Sequence, residues 1–467
     1  MRSSALVPVL ATVLGLATAK PTATTPEPPS KRASLPTVTV SGNAFWQGDT
    51  RFYVRGLDYQ PGGSSGMLDP LADPDICQRD IAQFKKLGIN TIRVYMTDNS
   101  KSHDECMNSL ADAGIYVIID ANNPLYSINR MDPGPSYNAM YLQSVFASID
   151  EFIKYDNTMA FFSGNEVIND DVKSTKSARY VKAVTRDMRK YIKERGYRSV
   201  PVGYSAADVA QNRMQLANYM NCGTDDERSD FFAFNDYSWC NSDFERSGWD
   251  KKVKNFSDYG IAIFLSEYGC LTNGRDFGEV KALMSDKMTS VYSGGLMYEY
   301  ALEENGYGIA KISSPKAKSI EEKPGFAKFA KAMKENPAPK GNGGFASTTH
   351  SVPCPTKDAD WLVDSTLLPK MPEGAEKYMK DGAGKGPGLK GDGSQTAGGD
   401  DSENSSQGDA EPGSGASTGS PTGGSPSSTN SENAAGRAGS MNAKVDGAPF
   451  AVAAMALGFT FIGTLLL

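Results

Sequence analysis

Histidine is nearly missing from this chain. Only His103 and His350 occur among 467 residues. A Ser-His-Asp or Cys-His hydrolase would have to use one of them. His103 lies in the polar run Ser102-His103-Asp104-Glu105, which has the character of a helix start, and His350 in the loop Thr348-Thr349-His350-Ser351. Both are expected to be ordinary surface residues. There is no P-loop, and no GxGxxG follows a strand. No CxxC or Cys/His cluster exists, so no zinc site is expected. The net charge is −7 and no basic stripe interrupts the sequence, which argues against nucleic acid as a partner. By subtraction the chemistry falls to carboxylates, with no metal and no organic cofactor.

Two further absences divide the chain. No aromatic residue occurs between Tyr378 and Phe450, a stretch of Gly, Ser, Thr, Asp and Pro. It has too little apolar surface to offset its ordering entropy, so a disordered, O-glycosylated stalk is expected over 379–433. Long apolar runs are confined to the two ends. Residues 1–19 have the form of a signal peptide: Arg2, then the apolar Ala5 to Leu16, then Ala17-Thr18-Ala19. Residues 20–35 follow as a linker or propeptide, with Lys31-Arg32 as a candidate processing site. At the other end, small residues at Asn433-Ala434-Ala435, a polar spacer and the uncharged run Pro449 to Leu467 match a GPI-attachment signal over 434–467. Asn433 is the expected attachment residue, with Gly439 and Ser440 as alternatives, and a C-terminal transmembrane anchor is the competing reading. The expected location is the outer face of the plasma membrane and the cell wall. Sequons at Asn255 and Asn404 are candidate glycosylation sites in that setting.

Six cysteines remain: Cys77, Cys106, Cys222, Cys240, Cys270 and Cys354. An even number in a secreted chain implies three disulfides, but six cysteines allow fifteen pairings and spacing does not choose among them.

Between these ends, strand and helix patterns alternate. Strands are predicted at Phe52–Asp58, Asn90–Tyr95, Ile115–Asp120, Met159–Ser163, Val200–Tyr204, Phe231–Asn235, Ala262–Ser266 and Gly295–Tyr300. Most are separated by helical segments, such as Pro74 to Leu87 with Asp73 as its N-cap. Eight such strands predict an α/β fold, a (β/α)8 barrel over 36–340. An open doubly wound sheet is the alternative. Residues 341–378 form an extension containing Cys354.

Two of these strands are the most informative. Phe161-Phe162-Ser163-Gly164-Asn165-Glu166 and Ile263-Phe264-Leu265-Ser266-Glu267 are apolar runs that end in a glutamate. Catalytic groups gather at the C-terminal ends of barrel strands. Strands four and seven lie on opposite sides of the mouth, so their carboxyls can converge. A retaining glycosidase needs such a pair, about 5–5.5 Å apart, one as nucleophile and one as acid/base. Asn165 before Glu166 resembles the Asn-Glu pair that ends strand four in the large clan of barrel glycosidases, and that resemblance implies that Asn165 bonds the sugar 2-hydroxyl. Tyr95, Tyr237, Tyr298 and Tyr307 fall at other strand ends, where aromatic rings stack on sugars. Arg93 is expected either to hold a nearby carboxylate ionised or to form a structural ion pair.

Taken together, Gly56-Leu57-Asp58-Tyr59-Gln60-Pro61-Gly62-Gly63, Ile92-Arg93-Val94-Tyr95, Phe162-Ser163-Gly164-Asn165-Glu166-Val167, Asn235-Asp236-Tyr237-Ser238-Trp239-Cys240 and Phe264-Leu265-Ser266-Glu267-Tyr268-Gly269-Cys270 resemble the fungal β-1,3-glucanosyltransferases of glycoside hydrolase family 72, the Gas/Gel/Phr type. The resemblance runs from about Pro36 to about Tyr378 and includes the GPI tail. It implies Glu166 as acid/base and Glu267 as nucleophile. It implies donor-site roles for Gln60, Tyr95, Asp120, Asn165, Tyr237, Tyr298 and Tyr307, and disulfides Cys77–Cys106, Cys222–Cys354 and Cys240–Cys270. It implies β-1,3-glucan as donor and acceptor and a monomeric enzyme. Some members of the family carry a C-terminal cysteine-rich carbohydrate-binding module. No cysteine follows Cys354 here, so that module is not expected. The Trp239 and Tyr307 loops are expected to supply acceptor platforms. A β-1,3-glucanase of the same clan, or a silent glucan-binding wall protein, are the alternatives.

Overall fold

The computed structural model describes residues 35–63, 66–363 and 367–395. The expected signal peptide, most of the linker, Asn404, Asn433 and the GPI-attachment segment lie outside the described residues.

Eight parallel strands close into a barrel: β1 (Val54–Tyr59), β2 (Thr91–Val94), β3 (Tyr116–Asp120), β4 (Thr158–Asn165), β5 (Val202–Ala207), β6 (Phe231–Asp236), β7 (Ala262–Tyr268) and β8 (Tyr292–Met297). They pair in chain order, and β8 closes on β1 with Gly294 opposite Val54. Gly294 has φ +90°, and a Cβ there would sit 2.1 Å from the Val54 carbonyl oxygen, so only glycine fits the closing seam. Helices α1 (Pro74–Leu87), α2 (Asp104–Asp112), α3 (Ala139–Phe152), α4 (Ala178–Glu194), α5 (Arg213–Asn221), α6 (Trp249–Phe256), α7 (Gly278–Leu283) and α8 (Pro324–Glu335) surround it. The start of α1 follows directly from sequence. The Asp73 side chain accepts from the Asp75 and Ile76 N–H groups, and Gly88 ends the helix in the left-handed region.

Each barrel strand sends alternate residues inward. Ile118, Ala160, Phe162, Phe231, Ala233, Phe264 and Leu296 fill the interior, while Ile119, Phe161, Phe232, Phe234, Ile263 and Leu265 pack beneath the helices. The rings of Phe162, Phe231 and Phe264 lie 5.5–6.0 Å apart at their centroids. Phe45 packs against Phe231 and Phe264, 5.7 Å from each. It belongs to a three-stranded antiparallel sheet of Val38–Ser41, Ala44–Gln47 and Thr50–Phe52 that seals the bottom of the barrel. Sequence did not reveal this sheet. The expected first strand, Phe52–Asp58, merges the end of the plug with the start of β1.

The post-barrel segment crosses the outside of the barrel. Cys222–Cys354 fastens it to the end of α5, and Trp361 is buried against Tyr219. The other pairs are Cys77–Cys106 and Cys240–Cys270, so the pairing is the one that the resemblance implies.

Three expectations need correction. The stalk does not begin at 379. Residues 376–381 are helical, and the chain stays on the barrel to Gln395. Met379, Ala383 and Ser394 are buried, and the Gln143 side chain donates to the Ala383 and Lys385 carbonyls at 2.8 and 2.9 Å. Gly388 takes φ +66°, where a Cβ would lie 2.3 Å from Asp98. Here glycine serves close backbone packing, which composition alone registers as disorder. His103 is also not at the surface. It is 1% exposed, with Nε2 2.7 Å from Asp69 and Nδ1 2.9 Å from Glu151. Trp239 is 6% exposed and packs on Trp249 at 4.8 Å, so its ring offers no platform for a sugar.

Candidate active site

The site is built where strand alternation fails. Along β7, Ile263 and Leu265 point outward and Ala262 and Phe264 inward. A bulge between Leu265 and Glu267 then places Ser266 opposite no residue of β6. Ser266 and Glu267 both face the interior as a result, a common use of bulges beside active sites. β4 has a matching irregularity between Phe162 and Asn165. Ser163 bonds outward to Thr185 at 2.7 Å, whereas Asn165 reaches inward to Ser205 at 2.8 Å. Glu166 follows with φ +48° in the left-handed region.

Arg93 is the floor of the site. It is wholly buried and stacks on Phe162 and Tyr95, 4.7 and 4.1 Å from their ring centres. Its guanidinium donates to both oxygens of Asp120 at 2.9 Å, and Nη1 donates to Glu267 Oε1 at 3.2 Å. The two readings of Arg93 are therefore both realised. Donors converge on Glu267: Tyr95 OH bonds Oε1 at 2.8 Å and Tyr237 OH bonds Oε2 at 2.5 Å. Burial pushes the Glu267 carboxyl up to about 7. Arg93 opposes that shift, the charge of Glu166 adds to it, and the two tyrosine hydroxyls also oppose it. Asp58, at the end of β1, is fully buried, and neither of its carboxyl oxygens has a hydrogen-bond partner among the described residues. Burial, with Glu267 nearby, raises its pKa well above the ordinary value and favours its neutral form.

Glu166 is half-buried. Its Oε1 accepts from Asn235 Nδ2 at 2.8 Å. Asn235 Oδ1 in turn accepts from Ser266 Oγ at 2.8 Å, and Ser205 Oγ lies 2.8 Å from Ser266 Oγ. A chain of short polar side chains from β4, β5, β6 and β7 thus spans the barrel between the two glutamates.

Above them stand three tyrosines. The rings of Tyr237, Tyr298 and Tyr307 form a triangle with centroids 5.5–6.0 Å apart. Arg275, from the loop after β7, holds two of them by donating to the Tyr307 carbonyl at 2.7 Å and to the Tyr298 carbonyl. Cys240–Cys270 joins the loops that follow Tyr237 and Glu267. Gln60 lies just past β1 and is 9% exposed. Tyr95, Asp120, Asn165, Tyr237, Glu166 and Glu267 are thus linked through direct contacts, and Tyr298 and Tyr307 join through their rings. Sequence reasoning missed the arginine pair Arg130 and Arg275. Both lie in loops and act on carbonyl groups, which leave no pattern in side chains.

The chain was compared with known proteins. The family described as Glucanosyltransferase matches residues 28–336. The 1,3-β-glucanosyltransferase gel1 of Aspergillus fumigatus is 60% identical over 362 residues, covering 77% of this chain and 79% of that protein. The 1,3-β-glucanosyltransferase gas4 of Schizosaccharomyces pombe is 49% identical, covering 76% and 79%. Among solved structures, a glutamate-to-glutamine variant of Saccharomyces cerevisiae Gas2p in complex with laminaritetraose and laminaripentaose superposes with a TM-score of 0.67 at 37% identity, covering 73% of this chain and 75% of that one. With the barrel, the paired glutamates and these matches in agreement, the chain belongs to the glucanosyltransferase family, glycoside hydrolase family 72.

Proposed function

We propose that the protein is a retaining β-1,3-glucanosyltransferase of the cell wall. It cleaves a β-1,3-glucan chain internally and transfers the new reducing end to the non-reducing 3-hydroxyl of a second chain. The observation that carries this reading is the convergence of Arg93, Tyr95 and Tyr237 on Glu267, opposite Glu166, which among the described residues has Asn235 as its side-chain donor. Three donors favour a charged carboxylate, so Glu267 is the nucleophile. It attacks the anomeric carbon as Glu166 protonates the departing glycosidic oxygen. A glucosyl ester forms on Glu267. Glu166 then takes the proton of the incoming 3-hydroxyl, and the ester opens with retention. Gln60, Tyr95, Asp120, Asn165, Tyr237, Tyr298 and Tyr307 hold the donor sugars. The half-buried Tyr307 is the remaining candidate for holding the acceptor, in place of the buried Trp239.

The same reading places the protein outside the cell. Residues 1–19 are a removed leader, residues 20–35 a linker, and residues 434–467 a segment exchanged for a GPI anchor at Asn433. Asn255, exposed near the end of α6, is suited to N-glycosylation, as is Asn404 beyond the described residues. Incubation with one reduced laminari-oligosaccharide tests the activity. Products longer than the substrate are expected from the wild type and none from Glu267→Gln. Shorter products alone, at every substrate concentration, replace the transferase reading with a glucanase.

A further inference from the structure

Glu166 adopts a backbone conformation that L-residues avoid. A φ of +48° lies in the left-handed region, where the side chain of an L-residue crowds the following carbonyl oxygen. Such a conformation persists only when its surroundings impose it. The conformation also decides where the carboxyl points, because β4 ends at Asn165 and the chain must turn sharply while keeping the next side chain over the barrel.

The Glu166 N–H donates to the Ser205 carbonyl at 2.9 Å, which continues the β5 ladder and fixes one side of the residue. The other side is held from outside the strand. Arg130 donates through Nη2 to the Glu166 carbonyl and through Nε, at 2.9 Å, to the Val167 carbonyl. One planar guanidinium thus spans two successive peptide planes, a geometry that an ammonium cannot reproduce. Arg130 is itself braced. Its carbonyl accepts from Ser177 Oγ at 2.8 Å, and the Asn129 side chain before it accepts from the Met131 and Asp132 N–H groups at 3.0 and 3.3 Å. The Asn129 N–H is held by Ser136 Oγ at 2.8 Å. The loop after β3 therefore presents a fixed clamp to the end of β4.

We propose that Arg130 is the positioning residue of the acid/base: by bridging the Glu166 and Val167 carbonyls it holds Glu166 in its left-handed turn, and so keeps the carboxyl aimed at the glycosidic oxygen. The proposal rests on the reading of Glu166 as proton donor. Arg130 touches neither the sugar nor the reacting atoms. Its loss harms the one step in which a proton must be delivered to the leaving oxygen. It spares cleavage of a donor whose leaving group departs as an anion, where the electron pair of the broken bond leaves on a phenolate and the ester to Glu267 forms unaided.

The test compares two substrates with the full-length protein: a reduced laminari-oligosaccharide, and a laminari-oligosaccharide carrying a β-linked 2,4-dinitrophenyl group at its reducing end. Arg130→Met and Arg130→Lys are measured beside Glu166→Ala, using single-turnover phenolate release for the activated donor. General acid catalysis is worth about 10²- to 10⁴-fold. Arg130→Met is therefore expected to lose about 10-fold or more in kcat on the natural substrate, and less than about 3-fold on the activated donor. Arg130→Lys is expected to fall between Arg130→Met and wild type. Equal losses on both substrates, or no loss on either, overturn the proposal. If Arg130→Met does not fold, the same ratio read on Arg130→Lys decides. Glu166→Ala separates the two readings. If it shows no leaving-group dependence, Glu166 is not the acid and the assignment beneath the proposal fails. If it shows that dependence and the Arg130 variants do not, only the role of Arg130 fails.

Discussion

Removing the hydroxyl of Tyr237 isolates the environment of Glu267, the proposed nucleophile. In Tyr237→Phe the ring keeps its contacts with Tyr298 and Tyr307 at 6.0 and 5.5 Å, so the cleft should keep its shape. What disappears is a 2.5 Å hydrogen bond to Oε2 of a carboxyl that is 6% exposed. Hydrogen bonds to charged groups contribute about 1.5–3 kcal/mol net. This one favours the ionised form of Glu267, so its loss raises the pKa. At 1.36 kcal/mol per unit the rise is about 1–2 units, above a value that burial already pushes up to about 7. The assay is kcat/KM against pH for the dinitrophenyl donor, because that leaving group needs no proton and the profile then has one acidic limb reporting the nucleophile in the free enzyme. The limb should move about 1–2 units toward alkaline pH. Rates well below it should fall about 10- to 100-fold, with the plateau little changed. A limb that superimposes on the wild-type curve would refute the argument that Tyr237 holds Glu267 ionised. A plateau loss without a shift would move the role of Tyr237 to sugar binding.

Arg275→Met releases the Tyr298 and Tyr307 carbonyls while leaving Glu267 and its donors in place. A loss of about 1–2 kcal/mol in donor binding raises KM by about 5- to 30-fold, with kcat at saturation nearly unchanged. A fall in kcat at constant KM would contradict this. His103 yields a pH dependence of stability. Burial disfavours its charge, but Asp69 and Glu151 outweigh that and raise the pKa to about 9 from the ordinary 6.5. Its stabilising charge is thus fully present below about pH 6.5 and lost as pH rises through 9, a contribution on the order of 3 kcal/mol. The thermal midpoint should drop across that window in wild type and much less in His103→Gln. The paired change Cys222→Ser/Cys354→Ser opens a link spanning 132 residues. It should cost about 2–5 kcal/mol, read as a lower thermal midpoint and faster proteolysis between Phe345 and Trp361.

The barrel strands were legible because both of their faces are buried. Ile261 to Leu265 and Met159 to Phe162 are unbroken apolar runs, and such runs mark parallel strands covered by helices. The glutamates stood out as the first polar residues of consequence after those runs. Strand ends were placed within one to three residues, since composition changes gradually there. The bottom plug was missed for the opposite reason. Its strands are three and four residues long, and Gly42 and Gly48 interrupt any periodic pattern. His103 was misplaced because its polar neighbours in sequence are not its neighbours in space. Asp69 and Glu151 come from 34 and 48 residues away.

The same run that reveals a strand conceals its bulge. In Ile263-Phe264-Leu265-Ser266-Glu267 strict alternation would put Glu267 on the outward face with Ile263 and Leu265, under the helices. An unpaired carboxylate there would be far more costly than the bulge that turns it inward. Inside, it finds Arg93, Tyr95 and Tyr237. On the opposite side the irregularity in β4 turns Asn165 inward, against the alternation set by Phe161 and Ser163; Glu166 follows in a left-handed conformation, and Arg130 and Ser205 supply the bonds that hold it. Glu267 thus faces a side that a regular strand would not give it, and Glu166 has a backbone conformation that a regular strand does not have. Each is kept there by groups from neighbouring strands or loops, not from its own. The partners of the two turns must therefore be intact before either glutamate is correctly aimed, which is why a loop arginine far from Glu166 in sequence can control a proton transfer without touching the substrate.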